Sequence, residues 1–284
     1  MSIKDLSSAL TYGEALTRAS LFLKKNGKEA HLAEWLLKER FDFSLTDLVQ
    51  KQRHVMRTDE KEQFIKDILE AVEGKPVQYI VGHEWFYGRR FHVSQDTLIP
   101  RPETEEWFDH YIKTLPNRAL NVLDIGTGSG VLAISHKLER PQDKVTAVDI
   151  SPNTLNMAIK NAEEMEADVT FIISDMTEQV TGPFDLILSN PPYIGSEELQ
   201  AMDDSVLAFE PHEALFAKDE GLFFYKQLAH TLPDILSQTG LIIMELGYKQ
   251  GQAIKGLYEE AFPKAQVEIK KDFSGHDRTL YVRR

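Results

Sequence analysis

The sequence predicts an α/β protein: a wound parallel sheet of seven strands, covered on both faces, preceded by a small helical bundle and joined to it by a β-hairpin linker. Three observations predict it. From about residue 120, short β-type runs alternate with amphipathic helical runs, the pattern of a sheet built by repeated crossovers. The first 75 residues show apolar positions only at helical spacing. Between these regions the pattern changes at Gly74-Lys75-Pro76 to short segments rich in aromatic and branched residues. The expected domains are residues 1–74 (bundle), 75–105 (linker) and 106–284 (sheet domain).

The bundle is read as follows. Tyr12, Leu16, Ala19 and Leu23 define a first helix that Gly27 stops. Leu32, Trp35 and Leu36 mark a second. Ser44 is a candidate N-cap for a short third helix, with Asp47 in its first turn. Thr58 caps a fourth, whose Asp59 and Glu60 favour the helix dipole and whose apolar face is Phe64, Ile65, Ile68, Leu69 and Val72. In the linker, Val77–Val81, Glu84–Phe86 and Phe91–Val93 read as strands, with Tyr87-Gly88-Arg89-Arg90 as a hairpin loop. Two prolines flanking Arg101 fix an extended segment, and the charged run after it opens a helix containing Trp107, Phe108 and Tyr111.

The sheet domain gives strands at Asn121–Ile125, Lys144–Asp149, Val169–Ile173, Phe184–Ser189, Leu241–Leu246, Val267–Lys271 and Thr279–Arg283. Helices are expected at Val131–Glu139, Asn153–Glu164, Gly221–Gln238 and Gln250–Phe262.

Composition narrows the chemistry. With 284 residues, 42% hydrophobic and 27% charged, the chain can bury a full core. It has no cysteine, which excludes disulfides, a thiol nucleophile and Cys-ligated zinc or iron–sulfur clusters. Its nine histidines are scattered, and no metal is expected. No apolar run follows Asp5, so no signal peptide is expected. The apolar runs are too short to span a bilayer; a soluble cytoplasmic monomer is expected. Net charge is −13, and the whole acidic surplus lies beyond residue 75. Such a surface opposes nonspecific nucleic-acid binding and favours a protein or small-molecule substrate.

The first candidate site is Asp124-Ile125-Gly126-Thr127-Gly128-Ser129-Gly130, which ends the first strand of the sheet. Its glycines let backbone approach a ligand and present amides at a helix N-terminus. Dinucleotide folds space their glycines as G-x-G-x-x-G; here the third comes one residue early, which disfavours a nicotinamide oxidoreductase and suits S-adenosylmethionine. Asp124 is a candidate for positioning the amino-acid end of that ligand. Asp149, ending the second strand, is a candidate acceptor for both ribose hydroxyls. Asp175 and Met176, after the third strand, are candidates for the adenine amino group and ring.

The second candidate site is Asn190-Pro191-Pro192-Tyr193, directly after the fourth strand. Both rings fix φ, and both residues that precede a proline are biased to extended geometry. The result is a stiff segment presenting a carboxamide and a carbonyl. Two oxygen acceptors suit an –NH2 on a planar conjugated carbon: they orient it and stabilise the charge that develops on nitrogen during methyl transfer. Tyr193 can pack on the substrate or near the cationic methyl group. Glutamine amide, adenine N6 and cytosine N4 all present such a group, so the motif alone leaves the substrate open.

The sequence resembles the HemK/PrmC family, the glutamine methyltransferases of peptide chain release factors. The resemblance rests on Gly74–Gly82, Phe86-Tyr87-Gly88, Leu98-Ile99-Pro100-Arg101-Pro102-Glu103-Thr104-Glu105, Asp124–Gly130, Asp149-Ile150-Ser151 and Ser189–Ile194. It continues through Glu210-Pro211, Ala214-Leu215, Gly221-Leu222 with Tyr225, Glu245-Leu246-Gly247 with Gln250, and Asp272, Gly275 and Arg278. Met176 stands where the family often has an aromatic residue, and Ala217-Lys218 where it usually has glycine. The resemblance implies a Rossmann-like, seven-stranded methyltransferase domain. It implies S-adenosylmethionine as donor, held by Gly126 to Gly130, Asp149, Asp175-Met176 and Asn190, with S-adenosylhomocysteine as product. The acceptor it implies is the glutamine of the Gly-Gly-Gln motif of class I release factors, seated on Asn190 to Tyr193. The alternatives are an adenine-N6 or cytosine-N4 nucleic-acid methyltransferase, which the acidic surplus opposes, and a ribosomal-protein glutamine methyltransferase. A catalytically silent ligand-binding module is disfavoured by the intact Asn-Pro-Pro-Tyr segment.

Overall fold

The computed structural model describes residues 6–284; residues 1–5, including Asp5, lie outside it. By contact the chain divides into two units. One holds the chain up to Gly82 together with Asp203–Phe209, the other His83–Met202 with Glu210–Arg284.

The first unit is helical: α1 (Tyr12–Lys25), α2 (Leu32–Phe41), α3 (Leu45–Lys51), α4 (Thr58–Val72), α5 (Val77–Val81) and the short helix Asp204–Phe209. Capping boxes start α1 and α3, where Thr11 and Ser44 accept from the backbone of Glu14 and Asp47 while those carboxylates reach back. Leu23, Leu36, Leu37, Phe64 and Ile68 fill the core, each contributing about 1.5–3 kcal/mol by leaving water. Two expectations need correction. Thr58 is the first residue of α4 rather than its cap: Arg57 holds that place, and its N–H donates to Glu60 at 3.3 Å. Val77–Val81 is a helix, not a strand. Pro76 opens it and Gly82, at φ 88, closes it, and five residues are too few to show a helical period. Arg40 pins it in place, with a fork on both Asp67 oxygens at 2.7 and 2.9 Å and a third bond to the Ile80 carbonyl at 2.6 Å.

The second unit begins with a hairpin, β1 (His83–Phe86) and β2 (Arg89–His92). Its turn is two residues, Tyr87-Gly88, rather than the four expected. Both have positive φ, the requirement of the tight turn that matches strand twist. Helix α6 (Pro102–Ile112) starts with Pro102 in its first turn and Arg101 extended before it. Phe86 meets Phe108 edge-on at 5.6 Å, which fastens the hairpin to α6.

The sheet contains β3 (Asn121–Ile125), β4 (Lys144–Asp149), β5 (Val169–Ile173), β6 (Phe184–Ser189), β7 (Leu236–Glu245), β8 (Gln266–Lys271) and β9 (Asp277–Arg283), in the order β5-β4-β3-β6-β7-β9-β8. All pairs are parallel except those of β9, which runs antiparallel to β7 and β8. The covering helices are α7 (Val131–Glu139), α8 (Pro152–Glu164), α9 (Phe223–Ile235) and α10 (Gly251–Ala261). The expected helix 221–238 is shorter because Pro233 removes one helical donor and the chain enters β7 at Leu236, which pairs with Phe184. Side chains of β6 alternate. Leu186 and Leu188 join Phe108, Tyr111 and Ile134 on one face, while Ile187 joins Tyr225, Leu228 and Tyr258 on the other. Both faces are therefore covered, as a parallel sheet requires. Among the described residues no helix is long and apolar enough to cross a membrane.

Candidate active site

The topology decides where a ligand can lie. From β3 the chain steps outward to β4 and β5, then returns to place β6 on the other side of β3. That reversal opens a crevice at the carboxyl ends of β3 and β6. The final pair of this ladder is Ile125 opposite Ser189, and the Ser189 hydroxyl donates to the Ile125 carbonyl at 2.8 Å. Gly126 and Asn190 therefore leave neighbouring strands side by side.

On the β3 side the loop Gly126-Thr127-Gly128-Ser129-Gly130 turns sharply into α7. The Gly126 and Thr127 amides donate to the Val148 carbonyl at 2.9 and 3.0 Å. A Cβ at Gly126 or Gly128 would meet nothing within 4 Å, whereas one at Gly130 would come within 2.6 Å of Ile134 Cδ1. The first two glycines thus leave an open cradle, and the third lets helix pack on loop. Thr127 and Ser129 are buried.

Asp124 has no exposed surface. Its Oδ2 accepts from the Thr127 hydroxyl at 2.7 Å, and its buried Oδ1 has no hydrogen-bond partner among the described residues. It shapes the loop from beneath. Burial raises its pKa to about 7, from 3.8. Between those values the folded protein keeps a proton that the unfolded chain has lost, so stability falls as pH rises through this window. The expected result for Asp124→Asn in cofactor-free protein is a melting temperature near the parent's at pH 4 and clearly above it at pH 8. An offset independent of pH would remove Asp124 from this role.

Asp149, at the end of β4, accepts from the Gly128 amide and the Ser151 amide, both at 3.0 Å. Burial raises its pKa. Its carbonyl takes the Ser174 amide at 3.0 Å, which ties the end of β5 to β4. Beyond that bond Asp175 is exposed and Met176 half-buried against the core. Met176 adopts φ 45, and its carbonyl accepts from the Ser174 hydroxyl at 3.1 Å. The acids lie at the ends of three adjacent strands. The open glycine cradle, the Asp149 carboxylate beside it and the amides at the α7 N-terminus suit a nucleoside carrying a charged amino-acid tail.

On the β6 side, Asn190 is half-buried, Pro191 buried, and Pro192 and Tyr193 half-buried. The segment is braced from several directions. The Tyr193 carbonyl accepts from Gln250 Nε2 at 2.8 Å, and that amide also reaches the Glu220 carbonyl at 3.0 Å. Ile194 exchanges backbone bonds with Leu215 and Ala217. Asn190 Nδ2 donates to Thr104 Oγ1 at 3.3 Å, and the Tyr193 phenol donates to Glu245 Oε1 at 3.4 Å. Burial, with the Glu245 carboxyl beside it, raises the Tyr193 pKa, so the phenol stays a neutral donor.

Sequence reasoning gave no role to Thr104, Trp107, Glu210, Glu245 or Gln250. Glu245 is buried and receives Thr104 Oγ1 at 2.5 Å and Trp107 Nε1 at 2.9 Å. Glu210, also buried, receives Arg101 at 2.6 Å. Four of these five lie in or beside the segments that carry the family resemblance, and that was the available signal.

Residues 14–82 match the family model described as the PrmC N-terminal domain, and residues 109–210 match the methyltransferase small domain. The chain is 40% identical over 271 residues to the release factor glutamine methyltransferase of Enterococcus faecalis, covering 95% of this chain and 98% of that protein. It is 40% identical over 282 residues to the protein of the same name in Bacillus subtilis, covering 95% and 96%. A solved methyltransferase from Pyrococcus furiosus, 18% identical, superposes with a TM-score of 0.53 over 80% of this chain and 98% of that one, which bears on the fold alone.

Proposed function

The chain belongs to the release factor glutamine methyltransferase family, and on that premise we propose that Asn190–Tyr193 grips the acceptor amide while the glycine loop, Asp149 and the Asp175-Met176 turn hold the donor. The chain is an S-adenosylmethionine-dependent methyltransferase that methylates glutamine in peptide chain release factors. The acceptor is the glutamine of the Gly-Gly-Gln motif. The reaction runs in the cytoplasm on a monomer, and the helical residues up to Gly82 dock the substrate.

Bound S-adenosylmethionine supplies the methyl group as an electrophilic carbon on a sulfonium. The protein supplies position and charge. The Asn190 carboxamide oxygen and the Pro191 carbonyl each accept one N–H of the glutamine amide. This holds a weakly nucleophilic planar nitrogen in one orientation and stabilises the positive charge it gains during transfer. Neither proline has an N–H to compete for these acceptors. The methylated nitrogen is acidic and sheds its proton late, so no strong base is needed. Asp149 would accept from the ribose hydroxyls, and the open cradle at Gly126 and Gly128 would admit the donor beside it.

The observation that carries this reading is the Ile125–Ser189 pair, which puts cradle and acceptor segment at one crevice. The test is incubation with labelled donor and purified release factor, comparing the native Gln with a Gln→Ala acceptor. Label is expected only in the first; label in DNA or RNA instead would overturn the assignment. Asp149→Ala is expected to weaken donor binding by about 1–3 kcal/mol, the scale of charge-assisted hydrogen bonds. Unchanged affinity by titration calorimetry would take Asp149 out of the site.

A further inference from the structure

We propose that Glu245, acting through Thr104, decides which end of the Asn190 carboxamide faces the substrate. The inference rests on the acceptor role given to Asn190 above and supplies what that role lacks. A carboxamide has a donor end and an acceptor end of nearly the same shape. Turned the wrong way, Asn190 would present an –NH2 to the substrate –NH2, losing an acceptor and opposing two donors.

The bonding pattern leaves one arrangement. Trp107 Nε1 lies 2.9 Å from Glu245 Oε2. An indole nitrogen only donates, so Oε2 accepts there; with the carboxyl group ionised, or with its proton on Oε1, Oε2 has only lone pairs to offer. Thr104 Oγ1 donates to the same oxygen at 2.5 Å and spends its single proton there. Towards Asn190 the hydroxyl can offer only lone pairs, so the atom facing it at 3.3 Å is the amide nitrogen. Asn190 Oδ1 is thereby turned away from Thr104 and left as the acceptor.

The scaffold fits this task. Thr104 and Trp107 are three residues apart in α6 and share a face, so one helix delivers both donors to one oxygen. The Tyr225 hydroxyl holds the Glu245 carbonyl at 2.7 Å. The second carboxylate oxygen takes the Tyr193 phenol at 3.4 Å, so one buried side chain references both ends of the acceptor tetrapeptide. Glu245 and Thr104 are positioning residues. Neither needs to touch the substrate.

The test uses the full chain, labelled donor and purified release factor, with donor affinity and melting temperature measured in parallel. Thr104→Val keeps the shape and removes the relay; kcat is expected to fall at least about tenfold, the effect of one well-placed hydrogen bond, with donor affinity unchanged. Thr104→Ser restores the hydroxyl and is expected to recover most of the parent kcat. Thr104→Ala removes the same hydroxyl with less bulk and is expected to show the same loss, which decides the matter if Thr104→Val does not fold. A Thr104→Val enzyme with parental kcat, beside an inactive Asn190→Ala, would overturn this inference and leave the role of Asn190 standing. A fully active Asn190→Ala would overturn that role first. Loss of donor affinity in step with kcat, or a Thr104→Ser enzyme as impaired as Thr104→Val, would show a structural part only and sink the relay.

Discussion

Asn190→Ala should lose methyl transfer by about a hundredfold to a thousandfold, the cost of deleting one preorganised oxygen in a site of this type. The fold should survive. Asn190 stands after the last paired residue of β6, is half-buried, and makes one side-chain bond, 3.3 Å to Thr104. Removing such a bond costs about 0.5–1.5 kcal/mol, against a sheet held by two separate cores. Single-turnover transfer with saturating donor checks the first part, and chemical denaturation the second. A variant that transfers as fast as the parent would mean that the substrate nitrogen is held elsewhere.

The contrast between that large effect on chemistry and small effect on stability follows from how the site is built. Its parts that could be read in the sequence are local: a glycine loop after a strand, acids at strand ends, a proline pair that stiffens four residues. Local chemistry is enough to place them, because each follows a strand whose apolar run is visible, and the structure finds all of them at the carboxyl edge of β5, β4, β3 and β6. The parts that could not be read are long-range. Thr104 and Glu245 are 141 residues apart, and Arg101 and Glu210 are 109 apart. No periodicity encodes which buried carboxylate meets which helix. Their segments stood out only by family resemblance, which marks a position without saying what it touches. The same limit explains Val77–Val81, where four branched or aromatic residues out of five look like a strand. Only the Pro76 start, the Gly82 stop and Arg40 reaching the Ile80 carbonyl make it a helix.

Gly221→Ala tests the bracing of the acceptor segment rather than its chemistry. Gly221 sits at φ +84, and a Cβ there would lie 2.1 Å from the Tyr193 carbonyl oxygen and 2.3 Å from Gln250 Nε2. Those two atoms are themselves hydrogen-bonded at 2.8 Å, so the added carbon wedges between the acceptor segment and its support. The strained backbone costs about 1–2 kcal/mol, and overpacking adds about 1–3 kcal/mol, because neither the carbonyl nor the doubly bonded Gln250 amide can yield without losing a partner. Tyr193 would be pushed and the Asn190–Pro191 acceptors displaced with it. A misplacement of about 1 Å in such a site costs on the order of a hundredfold in rate. Donor binding should change little, since the glycine cradle and Asp149 hang on β3 and β4, whose bonds do not involve Gly221. The expected signature is therefore a lower denaturation midpoint and a collapsed kcat at near-parental donor affinity. Parental kcat in a correctly folded Gly221→Ala enzyme would show that the tetrapeptide holds its geometry without Gln250, on the proline rings and the bonds to Thr104, Glu245, Leu215 and Ala217.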